Sequence, residues 1–255
     1  MKYYDLFIPI GAFCATSYHL RHCNLQTEAL PLDWIGVWKI KQAAELIKNK
    51  FDGFFQKENL VFENVNGTHN AYMDKPNHVA FFHCIDKDLP FDEGYAKARA
   101  MFDRRINRVF DKINKAKSIL FVYANNESIS PQEALEAYEI LKVNYPNKRI
   151  DLLVLDLKKD YSGIETKEIS KNVLFIKMEF DLEHDLYSGR KESFNEIFQN
   201  YQIASWEKRL KNIFDKFSFN MKRISVSLVC MFIPSKQIRK KLRKKFKTNR
   251  CVFDR

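Results

Sequence analysis

Paired cysteines are missing from this chain of 255 residues. Its five cysteines are odd in number and scattered, with no CxxC step and no Cys/His ladder, which argues against a structural zinc site or a disulfide framework. Free thiols in a reducing, cytoplasmic setting are the expectation. No apolar run is long enough to span a bilayer. The N-terminus has no basic stretch leading into a long apolar one, so no signal peptide is expected. A P-loop and a glycine-rich dinucleotide fingerprint are absent, and so is an internal repeat. The run from Asp151 to Asp156 contains no DxD, which counts against a metal-dependent glycosyltransferase.

Aromatics are plentiful, with 22 Phe and 11 Tyr, enough for a sizeable core in one large or two small domains. The net charge of +11 suggests nucleic acid until it is located. From Lys208 to Arg255 there are 16 Lys plus Arg against two acids, a local charge of +14. The rest of the chain carries 27 basic and 30 acidic groups, a net of −3. The excess therefore belongs to the tail.

Leu6 to Ile10 predicts a strand, Gly11 a break, and residues 15–22 a helix. Cys14 falls at or just before that helix, where free N–H groups and the helix dipole favour a thiolate. It is either a nucleophile or a small buried hydrophobe. Residues 38–48 have helical spacing, and 60–65 and 79–84 read as strands with a polar turn at 66–70. Residues 91–117 form the clearest helix, with Tyr95, Ala98, Phe102, Ile106, Val109, Phe110 and Ile113 on one stripe and Arg99, Arg104, Arg105 and Arg108 largely on other faces. Ser130-Pro-Gln-Glu133 is a capping box opening the next helix. Strands at 118–124, 150–157 and 173–180 alternate with helices. The fold class is therefore α/β, a single mixed and partly parallel sheet flanked by helices over residues 1–206. Residues 207–255 form a separate basic tail.

A cysteine nucleophile needs a base and a group to orient it. His19 and His22 lie on the helix of Cys14, His69 and His78 in polar connections, and His184 in a late acidic loop. His83 ends a buried run at a strand terminus, as a base or as a core histidine. Ile10-Gly-x-x-Cys14, Pro31-Leu-Asp33-Trp34, Phe81-Phe-His83 and Arg104-Arg105-Ile-x-Arg108, in that order, resemble the papain-like cysteine peptidases, a bacterial family often found near surface-polysaccharide genes. The resemblance covers residues 1–200. It implies Cys14 as nucleophile at a helix N-terminus and His83 as base. Leu32 replaces the family's Phe, and Cys84 replaces the Asp that usually follows the histidine. The orienting group then falls to Asn125, Asp33 or Asp86, of which Asn125 matches a Cys–His–Asn chain order.

Such a pair performs acyl transfer, to water or to a sugar hydroxyl. The motif also resembles a polysaccharide-biosynthesis acyltransferase family whose donor is a coenzyme A thioester; no other cofactor and no metal are expected. Trp34, Arg104, Arg105 and Arg108 are candidates to bind a glycan or an acylated small molecule, against a solvated helix face for the arginines. In the tail, Ile238, Leu242 and Phe246 form a narrow stripe among nine Lys or Arg between residues 236 and 250. Lys236, Arg239, Lys240, Lys241, Arg243, Lys244 and Lys245 predict a membrane-surface helix on anionic lipid, peripheral on the inner face of the cell membrane. The scarcity of aromatics there speaks against nucleic acid. The tail also resembles those of enzymes that build lipopolysaccharide. The competing readings are a non-catalytic, membrane-associated assembly factor for glycan enzymes and a glycosyltransferase.

Overall fold

The computed structural model describes residues 1–180 and 191–245. In chain order the strands are β1 (Lys2–Tyr4), β2 (Leu6–Ala12), β3 (Ile35–Gly36), β4 (Leu60–Asn66), β5 (His69–Asp74), β6 (Val79–Asp86), β7 (Ser118–Asn125), β8 (Arg149–Lys158), β9 (Ile164–Ser170), β10 (Val173–Glu179) and β11 (Tyr201–Ile203). The helices are α1 (Ala15–His22), α2 (Ile40–Lys48), α3 (Phe91–Lys115), α4 (Pro131–Asn144), α5 (Lys191–Phe198), α6 (Trp206–Met231) and α7 (Lys236–Lys245).

The protein is α/β, but its strands fall into three sheets rather than the single one expected. The main sheet has the order β2-β7-β8-β10-β9, parallel except for β9. A second sheet, β3-β6-β5-β4, is antiparallel throughout. A parallel pair, β1 with β11, completes the set. The connections explain the split. Only Gly67 and Thr68 separate β4 from β5, and only residues 75–78 separate β5 from β6. A parallel crossover needs a dozen residues or more, so these strands can pair only as a meander.

Helices cover both faces of the main sheet, and β7 shows why. Ile119, Phe121 and Tyr123 enter one core with residues of α2, α3 and α4, while Leu120, Val122 and Ala124 enter the other with residues of α1 and α5. A strand buried on both sides must be apolar at nearly every position, as this one is. The second sheet packs into the first core through Tyr72, Phe81 and Ile85. Phe81 lies 4.6 Å from Phe55 and 5.4 Å from Phe102, centroid to centroid. Each such ring contributes roughly 1.5–3 kcal/mol by burial, so the cluster fastens β6 to α3. Gly94 permits the close approach, since a Cβ there would sit 2.8 Å from Ile85 Cγ2. α4 starts on the capping box, with Ser130 Oγ accepting from the Glu133 N–H.

Among the described residues no helix is long and apolar enough to cross a membrane. His184 and residues 246–255 lie outside the described residues, and only the backbone of Lys240, Lys244 and Lys245 is described.

Candidate active site

The main sheet's edge strand delivers the first group. Gly11 has φ +124, and a Cβ on it would meet the Val37 carbonyl oxygen at 2.8 Å. Glycine at this point lets the end of β2 come against residues 35–37, where the Val37 N–H donates to the Ala12 carbonyl at 2.9 Å. Two residues past Ala12, Cys14 is the N-cap of α1. Two residues before Val37 stands Ile35, paired with Phe81 of β6. The bridge therefore carries the cysteine end of one sheet to the histidine strand of the other.

Cys14 is buried, with 5% of its surface exposed. Burial pushes its thiol up to about 12, the Asp33 charge adds to the rise, and its own backbone amide opposes. The helix terminus alone would favour a thiolate. Here the cost of an ion out of water exceeds that help, so the resting group is a neutral thiol.

Asp33 has no exposed surface. Its Oδ2 accepts from Arg21 at 2.8 Å, from the Gln26 amide at 2.9 Å and from the Leu30 N–H at 3.1 Å. Its Oδ1 has no hydrogen-bond partner. Trp34, next in the chain, holds the left-handed conformation, φ +65, costly for a residue with a large side chain. The Arg21 guanidinium lies 5.3 Å from its ring centroid.

His83 sits on a bulge. β5 and β6 pair in register on either side, but Ala71 alone stands opposite residues 82–84. Extra residues in one strand re-aim its side chains, a device common beside active sites. Here the bulge puts His83 and Cys84 on the wall of one cavity of about 130 Å³, with Asp33, Trp34, His69 and Arg105. Burial pushes the His83 imidazole down to about 4, and His69, 6.2 Å away ring to ring, adds repulsion. At neutral pH His83 is an uncharged base. Burial raises the Cys84 thiol to about 12, with the Arg105 charge opposing.

Of the expected site residues, Asp33, Trp34, His83 and Arg105 come together in this cavity. Cys14 is not on its wall; Asp33 lines the cavity with His83 and raises the Cys14 thiol by its charge. Arg105 is buried, with 6% of its surface exposed, which corrects the solvated-face reading for this arginine. Burial lowers its guanidinium to about 10, Arg21 and Arg108 push the same way, and Asp33 opposes them.

Arg104 is exposed and donates to the Ala100 carbonyl at 3.2 Å, away from the cavity. Arg108 is a tie, donating to the Ala29 carbonyl at 2.7 Å. Asn125 does not orient His83. Its amide donates to the Trp38 carbonyl at 2.9 Å and the Tyr123 hydroxyl at 3.3 Å, and its oxygen accepts from the Glu127 N–H at 3.1 Å. Asp86 turns the chain, accepting from the Asp88 N–H at 3.0 Å. His19 stacks on Phe194 with centroids 3.7 Å apart.

Two residues escaped the sequence reading. His69 opens β5 beyond the two-residue turn, and the hairpin's own brevity is the signal that it belongs to a strand and not to a loop. Arg21 carried no signal, because its partner Asp33 is reached only by the fold. Among the described residues no group of three or more His, Cys, Asp or Glu could hold a metal ion.

The buried Cys14 thiol, the uncharged His83 and the enclosed Asp33 all lie near the junction of the two sheets. The model of a family described as putative papain-like cysteine peptidase matches residues 5–150, more than half the chain, and this protein belongs to that family. The match includes Cys14, Asp33, His83 and Arg105 and ends before α6 and α7. No curated protein and no solved structure matches the chain.

Proposed function

We propose that the protein is a cysteine acyl-transfer enzyme with Cys14 as nucleophile, His83 as general base and Asp33 as the carboxylate that orients the base. The observation that carries this is Asp33 itself, which lines the cavity of His83 and acts by its charge on the Cys14 thiol. His83 removes the thiol proton as sulfur attacks the acyl carbonyl carbon, then returns it to the leaving group. N–H groups of the first turn of α1 stabilise the oxyanion. A water or a sugar hydroxyl then takes the acyl group from sulfur. With thiol and imidazole both neutral at rest, the proton moves only during attack.

The cavity beside His83, about 130 Å³, has the volume of roughly four waters and does not reach Cys14, so it sets no limit on the acyl group. A coenzyme A thioester is the proposed donor and a bacterial surface glycan the proposed acceptor, with hydrolysis as the outcome when no acceptor binds. The test is turnover of an acyl thioester by Cys14→Ala and Cys84→Ala variants. Loss in the first alone supports the assignment; loss in the second alone moves the nucleophile to Cys84.

The burial of Cys14 and its place off the wall of the His83 cavity favour a second reading, a non-catalytic assembly factor in which both are structural residues. Undetectable turnover in the unaltered protein, together with unchanged fold in the Cys14→Ala variant, selects it.

A further inference from the structure

The membrane-surface expectation rests on the narrow stripe of the basic stretch after residue 235 and on the short apolar run 224–234 beside it. The structure shows a larger apolar face. α6 is an unbroken helix of 26 residues, about 39 Å long at 1.5 Å per residue. Leu210, Ile213, Phe217, Met221, Ile224 and Leu228 follow one another at steps of three and four, which keeps them on one side of the helix. All six are exposed, between 48% and 62% of their surface. An apolar face this long, left open on a folded chain, marks a contact surface.

The face does not end at the helix. Leu210, Ile213 and Trp206 also line a groove of about 730 Å³, closed on its other side by Leu25, Phe198 and Ile203. Apolar surface therefore runs from the body of the protein out along α6.

Charge decides what covers it. Residues 206–245 hold 13 Lys or Arg and only two acids, Glu207 and Asp215. From residue 216 to residue 253 there is no acid at all. α7 follows α6 after four residues and carries seven of those cations. A second copy laid along α6 would bring an equal positive charge against the first, and like charges at such a seam destabilise it. An anionic bilayer offers both complements at once, acyl chains for the stripe and headgroups for the cations.

We propose that α6 is the membrane-docking element of this protein, lying in the plane of an anionic bilayer with its Leu210–Leu228 face among the acyl chains and α7 adding headgroup contacts. This holds whichever chemistry Cys14 performs.

The test is flotation of the full chain with vesicles containing phosphatidylglycerol, beside vesicles of phosphatidylcholine alone. Trp206 is 61% exposed at the start of the helix and reports directly. Flotation with the anionic vesicles, a blue shift of tryptophan emission that vanishes in Trp206→Phe, and quenching by brominated acyl chains are expected. The double variant Phe217→Asp/Ile224→Asp, both exposed positions that leave the core intact, should lose at least tenfold in binding. Binding unchanged in that variant, with no blue shift and full release by salt, would overturn the proposal in favour of α7 alone. So would lipid-free dimerisation in sedimentation equilibrium that the double variant abolishes.

Discussion

Arg21 and Asp33 meet at 2.8 Å with the carboxylate wholly enclosed and only 8% of the arginine side chain exposed. Breaking such a pair from one side leaves a buried charge without its partner, at a cost of roughly 3–5 kcal/mol. Arg21→Ala should therefore lower stability by that order in urea unfolding. A loss under about 1 kcal/mol would mean that the carboxylate finds another cation or water. Asp33→Asn breaks the same pair from the carboxylate side at a cost of the same order, so its expected loss of at least tenfold in thioester turnover is measured per folded molecule, with the folded fraction read by circular dichroism.

The enclosed thiol governs alkylation. With Cys14 at about 12, its thiolate at pH 8 is about one part in ten thousand. Iodoacetamide should label the half-buried Cys23 before Cys14 at that pH. Labelling of Cys14, followed by peptide mass spectrometry, should rise about tenfold per pH unit up to pH 10. A plateau near pH 7 would show a standing thiolate.

His83 makes a signed contribution to stability. Its folded value is near 4 and its ordinary value 6.5. Between those pH values the unfolded chain takes up a proton that the folded chain does not, so this group weakens the fold as pH falls from about 6.5 to about 4. Above 6.5 the effect is absent. Thermal unfolding of His83→Gln should consequently lose less between pH 7 and pH 5 than the unaltered protein. Equal losses would remove the buried, uncharged imidazole from the account.

Gly11 is held by two constraints, a backbone angle closed to most side chains and a carbonyl where the Cβ would go. Gly11→Ala should cost at least about 2 kcal/mol in unfolding free energy. It should also raise the exposure of Cys14 to alkylation, because the bridge between Ala12 and Val37 holds both.

Much of this was legible in the sequence. Strand, break and helix around Cys14, the long α3 and the Ser130–Glu133 box are local patterns, and local patterns need no knowledge of the fold. The second sheet was missed because 66–70 looked like one polar turn, although Gly67 and Thr68 suffice for it. Arg105 looked like a solvated residue because its helix alone says nothing about the cavity it shares with His83 and Cys84 of β6. Asn125 satisfied a chain-order argument, yet its amide is consumed by Trp38, Tyr123 and Glu127 within its own neighbourhood. In the sequence the apolar run 224–234 stands alone, too short to span a membrane. Its continuity with Trp206, Leu210 and Phe217 becomes visible only once the helix is seen to be unbroken.

Acyl capture tests the central claim most directly. Incubation of the protein with a short acyl thioester, acid quenching within seconds and peptide mass spectrometry should find the acyl group on Cys14. In His83→Ala the rate of capture should fall by roughly 10²–10⁴-fold, the range of a lost general base. An acyl group on Cys84, or capture on Cys14 at the same rate without His83, would contradict the account.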